Sequence, residues 1–160
     1  MIVVVDTPGA GCGIEAGERG QGAAIADNLM ELAGLAGPVL TIITSGGGSG
    51  GALALAAGDQ VWMVENADYT MLSPEGFSSI LWKDSTKAKE AAEVMRLTAA
   101  DLYSQGIIEK VICEPEGYSE QTLYQVTDIL DKEITDFLEE YRNYSEEVLL
   151  EKRYERFRKF

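Results

Sequence analysis

Short apolar runs recur along the chain, separated by glycine-rich or charged stretches. Val3-Val4-Val5, Pro38-Val39-Leu40-Thr41-Ile42-Ile43 and Val61-Trp62-Met63-Val64 are continuous enough to predict buried strands. Tyr69-Thr70-Met71-Leu72 and Ile107 to Cys113 predict two more. Helical spacing takes over elsewhere. Ile25, Leu29 and Leu32 share one face of a helix expected over Glu15 to Leu35. Ala52 to Ala57 suits a tightly packed helix that Asp59 ends. Ser73 caps a helix that starts with Pro74 and Glu75 and runs through Phe77 to Trp82. Lys87 to Arg96 is alanine-rich and helical, and Thr98 caps a helix stopping near Gly106. Leu123, Val126, Leu130, Ile134, Phe137 and Tyr141 recur every three or four residues in a long amphipathic helix over Glu120 to Tyr141. A last helix starts at Ser145-Glu146-Glu147.

The punctuation between these elements carries the candidate chemistry. Thr44-Ser45-Gly46-Gly47-Gly48-Ser49-Gly50-Gly51-Ala52 lies between a strand and a helix N-terminus. Unpaired backbone N–H groups there favour negative charge, and glycine lets a ligand come very close. The stretch therefore reads as an oxyanion-binding turn. A phosphate-binding P-loop requires Lys-Ser/Thr where this chain has Ala52-Leu53. A plain turn that lets helix and sheet pack closely is the other reading, and glycines alone do not separate the two. Upstream, Asp6-Thr7-Pro8-Gly9 matches a GTPase switch box, but the partner motifs of that box are missing. It reads better as a second loop, presenting N–H groups from Gly9 to Gly11 towards the first. Two such loops face to face make an oxyanion hole.

Composition narrows the chemistry. One hundred and sixty residues, 46% hydrophobic and 25% charged, suit one ordinary globular domain. No apolar run is long enough to span a membrane, and the N-terminus lacks the features of a signal peptide. Cys12 and Cys113 are far apart and read as free thiols in a reducing cytoplasm. There is no histidine. That removes Ser-His-Asp and Cys-His nucleophile systems and leaves zinc without its commonest nitrogen ligand, so no metal is expected. The net charge of −14 argues against nucleic acid as a partner. Arg19 is either a plain surface arginine or one held to pair with an acid. Glu75 is explained by the helix dipole, with an acid/base role as the alternative. The basic end Lys152 to Lys159 is either a solvated helix terminus or a surface for an acidic partner, and the former is the simpler reading.

Taken in order, several motifs resemble the crotonase superfamily, and more narrowly the alpha subunit of bacterial acetyl-coenzyme A carboxylase carboxyltransferase. They are Asp6-Thr7-Pro8-Gly9-Ala10, Glu18-Arg19-Gly20-Gln21, Gly47-Gly48-Ser49-Gly50-Gly51-Ala52-Leu53-Ala54, Ser73-Pro74-Glu75-Gly76 and Ser79-Ile80-Leu81-Trp82-Lys83, with Arg153-Tyr154-Glu155-Arg156-Phe157 near the end. The resemblance implies an α/β fold, a partial ββα spiral of crotonase/Clp type over residues 1–117, with C-terminal helices over 118–160. It implies carboxyl transfer from carboxybiotin on a biotin carboxyl carrier protein to acetyl-CoA, giving malonyl-CoA for fatty acid synthesis in the cytoplasm. The partner it implies is a beta-type carboxyltransferase subunit in a hetero-oligomer. Gly50 and Gly51 would be the catalytic oxyanion hole. Gly9, Ala10, Gly47, Gly48, Ser49, Ser73, Pro74, Glu75 and Gly76 would line the substrate site. The ureido nitrogen itself can take the proton from the acetyl group, so the missing histidine is expected.

The chain also departs from the family. Gly11-Cys12 stands where Tyr-Pro is usual, and Gly46 where an acidic residue is common. Family members carry a long segment before the strand at Val3 to Val5, so an edge strand is expected here. Two alternatives stay in view. One is another crotonase-type acyl-CoA hydratase or decarboxylase using Glu75, and the other a non-catalytic scaffolding subunit. A Clp-type protease using Ser49 is removed by the absence of histidine.

Overall fold

The computed structural model describes residues 1–117 and 119–160. Strands β1 (Ile2–Thr7), β2 (Leu40–Gly48), β3 (Gln60–Val64), β4 (Asp68–Thr70) and β5 (Lys110–Ile112) form one parallel sheet. Its order is β1-β2-β3-β5, with β4 paired to the far half of β2. Parallel neighbours need crossovers, and these are helical. Helices α1 (Ile14–Glu18) and α2 (Gln21–Gly34) join β1 to β2, and α3 (Ser49–Leu55) joins β2 to β3. Between β4 and β5 run α4 (Pro74–Trp82), α5 (Ala88–Met95) and α6 (Ala99–Ser104). The long α7 (Leu123–Tyr141) and α8 (Glu146–Phe157) follow. Tyr118, the first residue of the expected helical segment, lies outside the described residues.

The continuous apolar runs are explained by burial of both sheet faces. Along β3, Val61 and Met63 enter one core with Val5, Ile43, Ala52, Leu102 and Ile108, while Trp62 enters another with Leu40, Ile42, Phe137, Tyr141 and Leu149. The expected Val3–Val5 strand is buried on one face only. Val5 is sealed, but Ile2 and Val4 are 43% and 64% exposed, because α7 and α8 do not reach β1. As expected for an edge strand, β1 pairs with β2 alone among the described residues.

The hydroxyl caps read from the sequence at Ser73 and Thr98 are present, and Ser145 caps the last helix in the same way. Gly76 N–H donates to Ser73 Oγ at 3.1 Å, Asp101 N–H to Thr98 Oγ1 at 3.3 Å and Val148 N–H to Ser145 Oγ at 3.4 Å. Other expectations need correction. The helix expected over Glu15 to Leu35 is two helices, broken at Gly20, whose φ of +76° suits glycine. Arg19 closes the first of them and pairs, exposed, with Glu15. Gly46 to Gly48 belong to β2 itself, because β4 gives their backbone a partner. Helix α3 starts earlier than expected, at Ser49, and ends at Leu55, so Asp59 lies beyond it.

The basic C-terminal stretch is the largest correction. Arg153 and Arg156 are buried, at 2% and 8% exposure, rather than solvated. Arg153 Nε and Nη2 donate to the two carboxylate oxygens of Asp59, each at 3.0 Å. Its remaining N–H groups reach the Leu32, Ala33, Leu35 and Gly37 carbonyls at 2.7–3.2 Å. Asp59 Oδ2 also accepts Val39 N–H at 2.7 Å. Arg156 repeats the scheme one turn later. It grips both Glu109 oxygens at 2.7 and 3.0 Å, and Glu109 Oε2 accepts Val61 N–H at 2.7 Å. Each arginine thus binds an acid that holds one backbone N–H at the entry to a strand, Val39 before β2 and Val61 in β3.

Removing one partner of such a buried pair strands the other's charge. Arg153→Met is expected to cost about 3–5 kcal/mol in urea unfolding. Arg153→Lys should recover only part of this, since one ammonium cannot match a planar fork that serves a carboxylate and several carbonyls. Two tyrosines make a second prediction. Burial pushes the Tyr69 phenol above its ordinary 10.0, against a smaller opposing effect from Arg156, and burial raises Tyr141 as well. The folded chain then holds these protons after the unfolded chain has lost them. Stability should be full below about pH 10 and fall as pH rises beyond it. In a spectrophotometric titration, Tyr69→Phe should remove part of the late-titrating absorbance.

Candidate functional site

The site lies at the carboxyl ends of β1, β2 and β4, where open parallel sheets place their ligands. β1 and β2 stay in register from Ile2↔Leu40 to Val5↔Ile43, and the next pair is Thr7↔Gly47. β2 therefore bulges at Thr44 to Gly46. Thr44 Oγ1 donates to the Val5 carbonyl at 3.2 Å, and Gly46 N–H donates to Asp6 Oδ1 at 3.3 Å. Beyond the bulge β2 changes neighbours and takes β4, with Gly46↔Asp68 and Gly48↔Thr70 in register. Asp6 and Asp68 thus flank Gly46 from adjacent strands.

The two glycine loops meet backbone to backbone. A Cβ on Gly48 would stand 2.2 Å from the Pro8 carbonyl oxygen, and one on Gly51 would stand 2.9 Å from Ala10 N. Neither position has room for a side chain. Gly50 differs, since its nearest neighbour would be the Ile25 side chain at 3.6 Å. Gly50 and Gly51 lie in the first turn of α3, where no carbonyl of the same helix is available to their N–H groups. Gly9 N–H is not free in this way, because it donates to Thr7 Oγ1 at 3.2 Å.

A polar cleft of about 410 Å³ opens beside these loops, lined among others by Asp6, Gly48, Ser49, Asp68, Ser73 and Pro74. An adjoining apolar pocket of about 400 Å³ reaches Gly50, Leu53, Tyr69, Phe77 and Ile107. Ser49 and Thr70 border both. Of the residues expected at the site, Gly48, Ser49, Gly50, Ser73 and Pro74 line one cavity or the other. Gly9, Ala10 and Gly51 form the joint behind them, and Gly47 is buried in the strand. Gly76 serves the Ser73 cap. Glu75 is exposed and borders neither cavity. Asp6, Asp68 and Thr70 were not among the expected residues. Their positions at strand ends are the signal that could have found them.

The family model described as acetyl co-enzyme A carboxylase carboxyltransferase-like matches residues 1–160. The chain belongs to this family. It is 52% identical over 158 residues to the acetyl-coenzyme A carboxylase carboxyl transferase subunit alpha of Clostridium acetobutylicum, covering 99% of this chain and 58% of that protein. The Streptococcus equi subsp. zooepidemicus subunit alpha is 51% identical over 160 residues, with 61% of its length covered. A Clostridium tetani relative named subunits beta/alpha is 46% identical, with 28% of its length covered. The chain thus spans about three fifths of the subunit alpha relatives it matches. Among solved structures, transcarboxylase 12S superimposes with a TM-score of 0.72 at 20% identity, covering 88% of this chain and 27% of that one. A Pseudomonas malonate decarboxylase hetero-tetramer gives 0.72 at 18%, covering 95% and 60%. These place the acetyl-CoA carboxylase carboxyltransferase-like chain in the crotonase fold expected from its motifs.

The loop joint sets a sharp contrast between neighbouring glycines. Gly48→Ala drives a methyl into the Pro8 carbonyl and should cost about 3 kcal/mol, the upper end for overpacking. Gly50→Ala meets only ordinary contact and should stay within about 0.5 kcal/mol of the parent in urea unfolding.

Proposed function

We propose that this chain forms the carboxybiotin half-site of an acetyl-CoA carboxylase carboxyltransferase, making malonyl-CoA for fatty acid synthesis in the cytoplasm. It works with a beta-type subunit and a biotin carboxyl carrier protein. The observation that carries this reading is the joint of two glycine loops, with Gly51 in the joint and Gly50 lining the pocket beside it, both in the first turn of α3. Membership of the family and the subunit alpha relatives support the reaction class. The Clostridium tetani relative, whose name joins beta and alpha in one chain, supports a beta-type partner.

The residues present suit a biotin group. Gly48 and Gly51 leave no side chain between the loops, and the cavity in front offers backbone donors beside an apolar wall. Carboxybiotin, when bound, would supply an activated carboxyl group. Gly50 and Gly51 would hold its ureido oxygen with first-turn N–H groups that need not reorient as charge develops. Leu53, Tyr69 and Phe77 line the apolar side. Asp6 and Asp68 make the polar cleft unfavourable for phosphates, so the coenzyme A polyphosphate falls to the beta-type chain. The exposed Glu75 leaves a hydratase without its placed acid.

The test is carboxyl transfer in reverse, malonyl-CoA-dependent carboxylation of a biotin derivative by this chain with a beta-type subunit. Transfer is expected, and Gly50→Pro, which removes the backbone N–H in the first turn of α3, should lower kcat about 10²–10³-fold, as loss of an oxyanion donor does. Unchanged kcat in a folded Gly50→Pro complex would sink the site assignment. No transfer by an intact wild-type complex would favour a scaffolding subunit instead.

A further inference from the structure

Helix α4 starts at the rim of the site. Its cap Ser73 and its first residue Pro74 line the polar cleft, and Phe77 lines the apolar pocket. Its main packing partners are α5 and the 3-10 turn Ser85–Lys87 between them, so the two helices form a hairpin. Ser78 and Ala91 are the buried positions of the two helices, and their small size lets the helices close on each other. The outer side of this hairpin has no cover among the described residues. Met71, Ile80 and Leu81 are 84%, 57% and 60% exposed, and Trp82 stands edge-on to Phe77. Apolar side chains exposed together, rather than scattered singly, mark contact with another molecule.

The charge beside this patch is opposite to that of the chain. Residues 76–89 hold Lys83, Lys87 and Lys89 against one acid, Asp84, in a chain of net charge −14. All three lysines are exposed, and none forms an ion pair among the described residues. Asp84 is engaged with Thr86, accepting its N–H at 3.0 Å and its hydroxyl at 2.6 Å. The other cationic stretch is largely engaged internally. Arg153 and Arg156 sit in buried ion pairs, and Lys152 and Arg158 lie over the Tyr144 and Tyr154 rings. A permanent subunit interface selects apolar residues and disfavours lysine, whose hydrated ammonium is costly to dry. Lysines beside a small apolar patch instead speed the encounter with an acidic partner that comes and goes.

Resting on the carboxybiotin half-site above, we propose that the outer face of the α4–α5 hairpin is the landing surface for the biotin-bearing carrier, which meets it with an acidic surface around a small apolar spot. A tethered group that has to enter the cleft requires its carrier to sit on the rim, where α4 begins. Asp6 and Asp68 in the cleft repel an acidic protein, so the lysines of the hairpin make it the attracting side. Ile80 and Leu81 supply the apolar centre, and Lys83, Lys87 and Lys89 the charged border.

The experiment uses this chain in complex with a beta-type subunit, with a biotinylated carrier protein and a free biotin derivative as alternative carboxyl acceptors from malonyl-CoA. Carrier binding is read by surface plasmon resonance at low and high salt. The triple variant Lys83→Glu, Lys87→Glu, Lys89→Glu should weaken carrier binding about tenfold, through slower association, and flatten its salt dependence. KM for the carrier should rise by a similar factor, while kcat and the KM for the free biotin derivative stay unchanged. Leu81→Ser should weaken carrier binding through faster dissociation instead. Acids at the start of α5 suit its dipole, so the triple variant should keep its thermal midpoint. Unchanged carrier affinity in the folded triple variant would overturn the landing surface and leave the half-site standing. Loss of the beta-type subunit from the triple variant would also overturn it, by making the hairpin a subunit interface. Equal loss of transfer to both acceptors would overturn it too, since docking serves only the carrier. A wild-type complex that carboxylates neither acceptor overturns the half-site reading and this inference together.

Discussion

The buried pair of Arg153 and Asp59 is the constraint on which the rest of the structure leans. It joins the last helix, the end of α2, the entry to β2 and the turn before β3 through one guanidinium. A charge so buried is favourable only if all its donors are met, and here the arginine reaches a carboxylate and four carbonyls. Arg156 and Glu109 extend the clasp to β3 and the turn before β5. The two arginines lie three residues apart on one face of α8 and so act as a single jaw.

This clasp closes the amino ends of the strands, while the clefts open at the carboxyl ends of β1, β2 and β4. The separation matters for function. Backbone donors at the start of α3 stay in place only if the strand that leads into them does not shift. β2 is held at Val39 by Asp59, along its length by β1 and β3, and beyond its bulge by β4. Its far end, Gly46 to Gly48, can therefore be made of residues with little preference for a strand. The rigidity that glycine lacks is supplied by neighbours on both sides.

Much of this was legible in the sequence. The apolar runs marked β2 and β3, and Ser73, Thr98 and Ser145 marked three helix starts through hydroxyls acting within three residues of themselves. The two glycine loops that meet at the candidate site were legible because their motifs occur in a fixed order. What stayed hidden depends on distant partners. Arg153 looked like a solvated cation because Asp59 lies 94 positions away. Gly46 to Gly48 looked like a turn because the strand that pairs with them comes after β3. Asp6 and Asp68 were marked only by their positions at strand ends, and it is sheet register that brings them into one cleft. Glu75 went the other way, since a residue in a matching motif proved to face solvent.

The contact between Gly48 and Pro8 has a further consequence for ligand entry. The floor of the cleft is made by two main chains touching, with no rotatable side chain between them. A site floored by long side chains must freeze their rotamers when a ligand arrives, at up to about 2 kcal/mol for each. Here there are none to freeze. The spacing between the loops is set by atomic radii, so at that surface the chain has no conformational freedom left to surrender, and the energy of contact is not spent on ordering the protein.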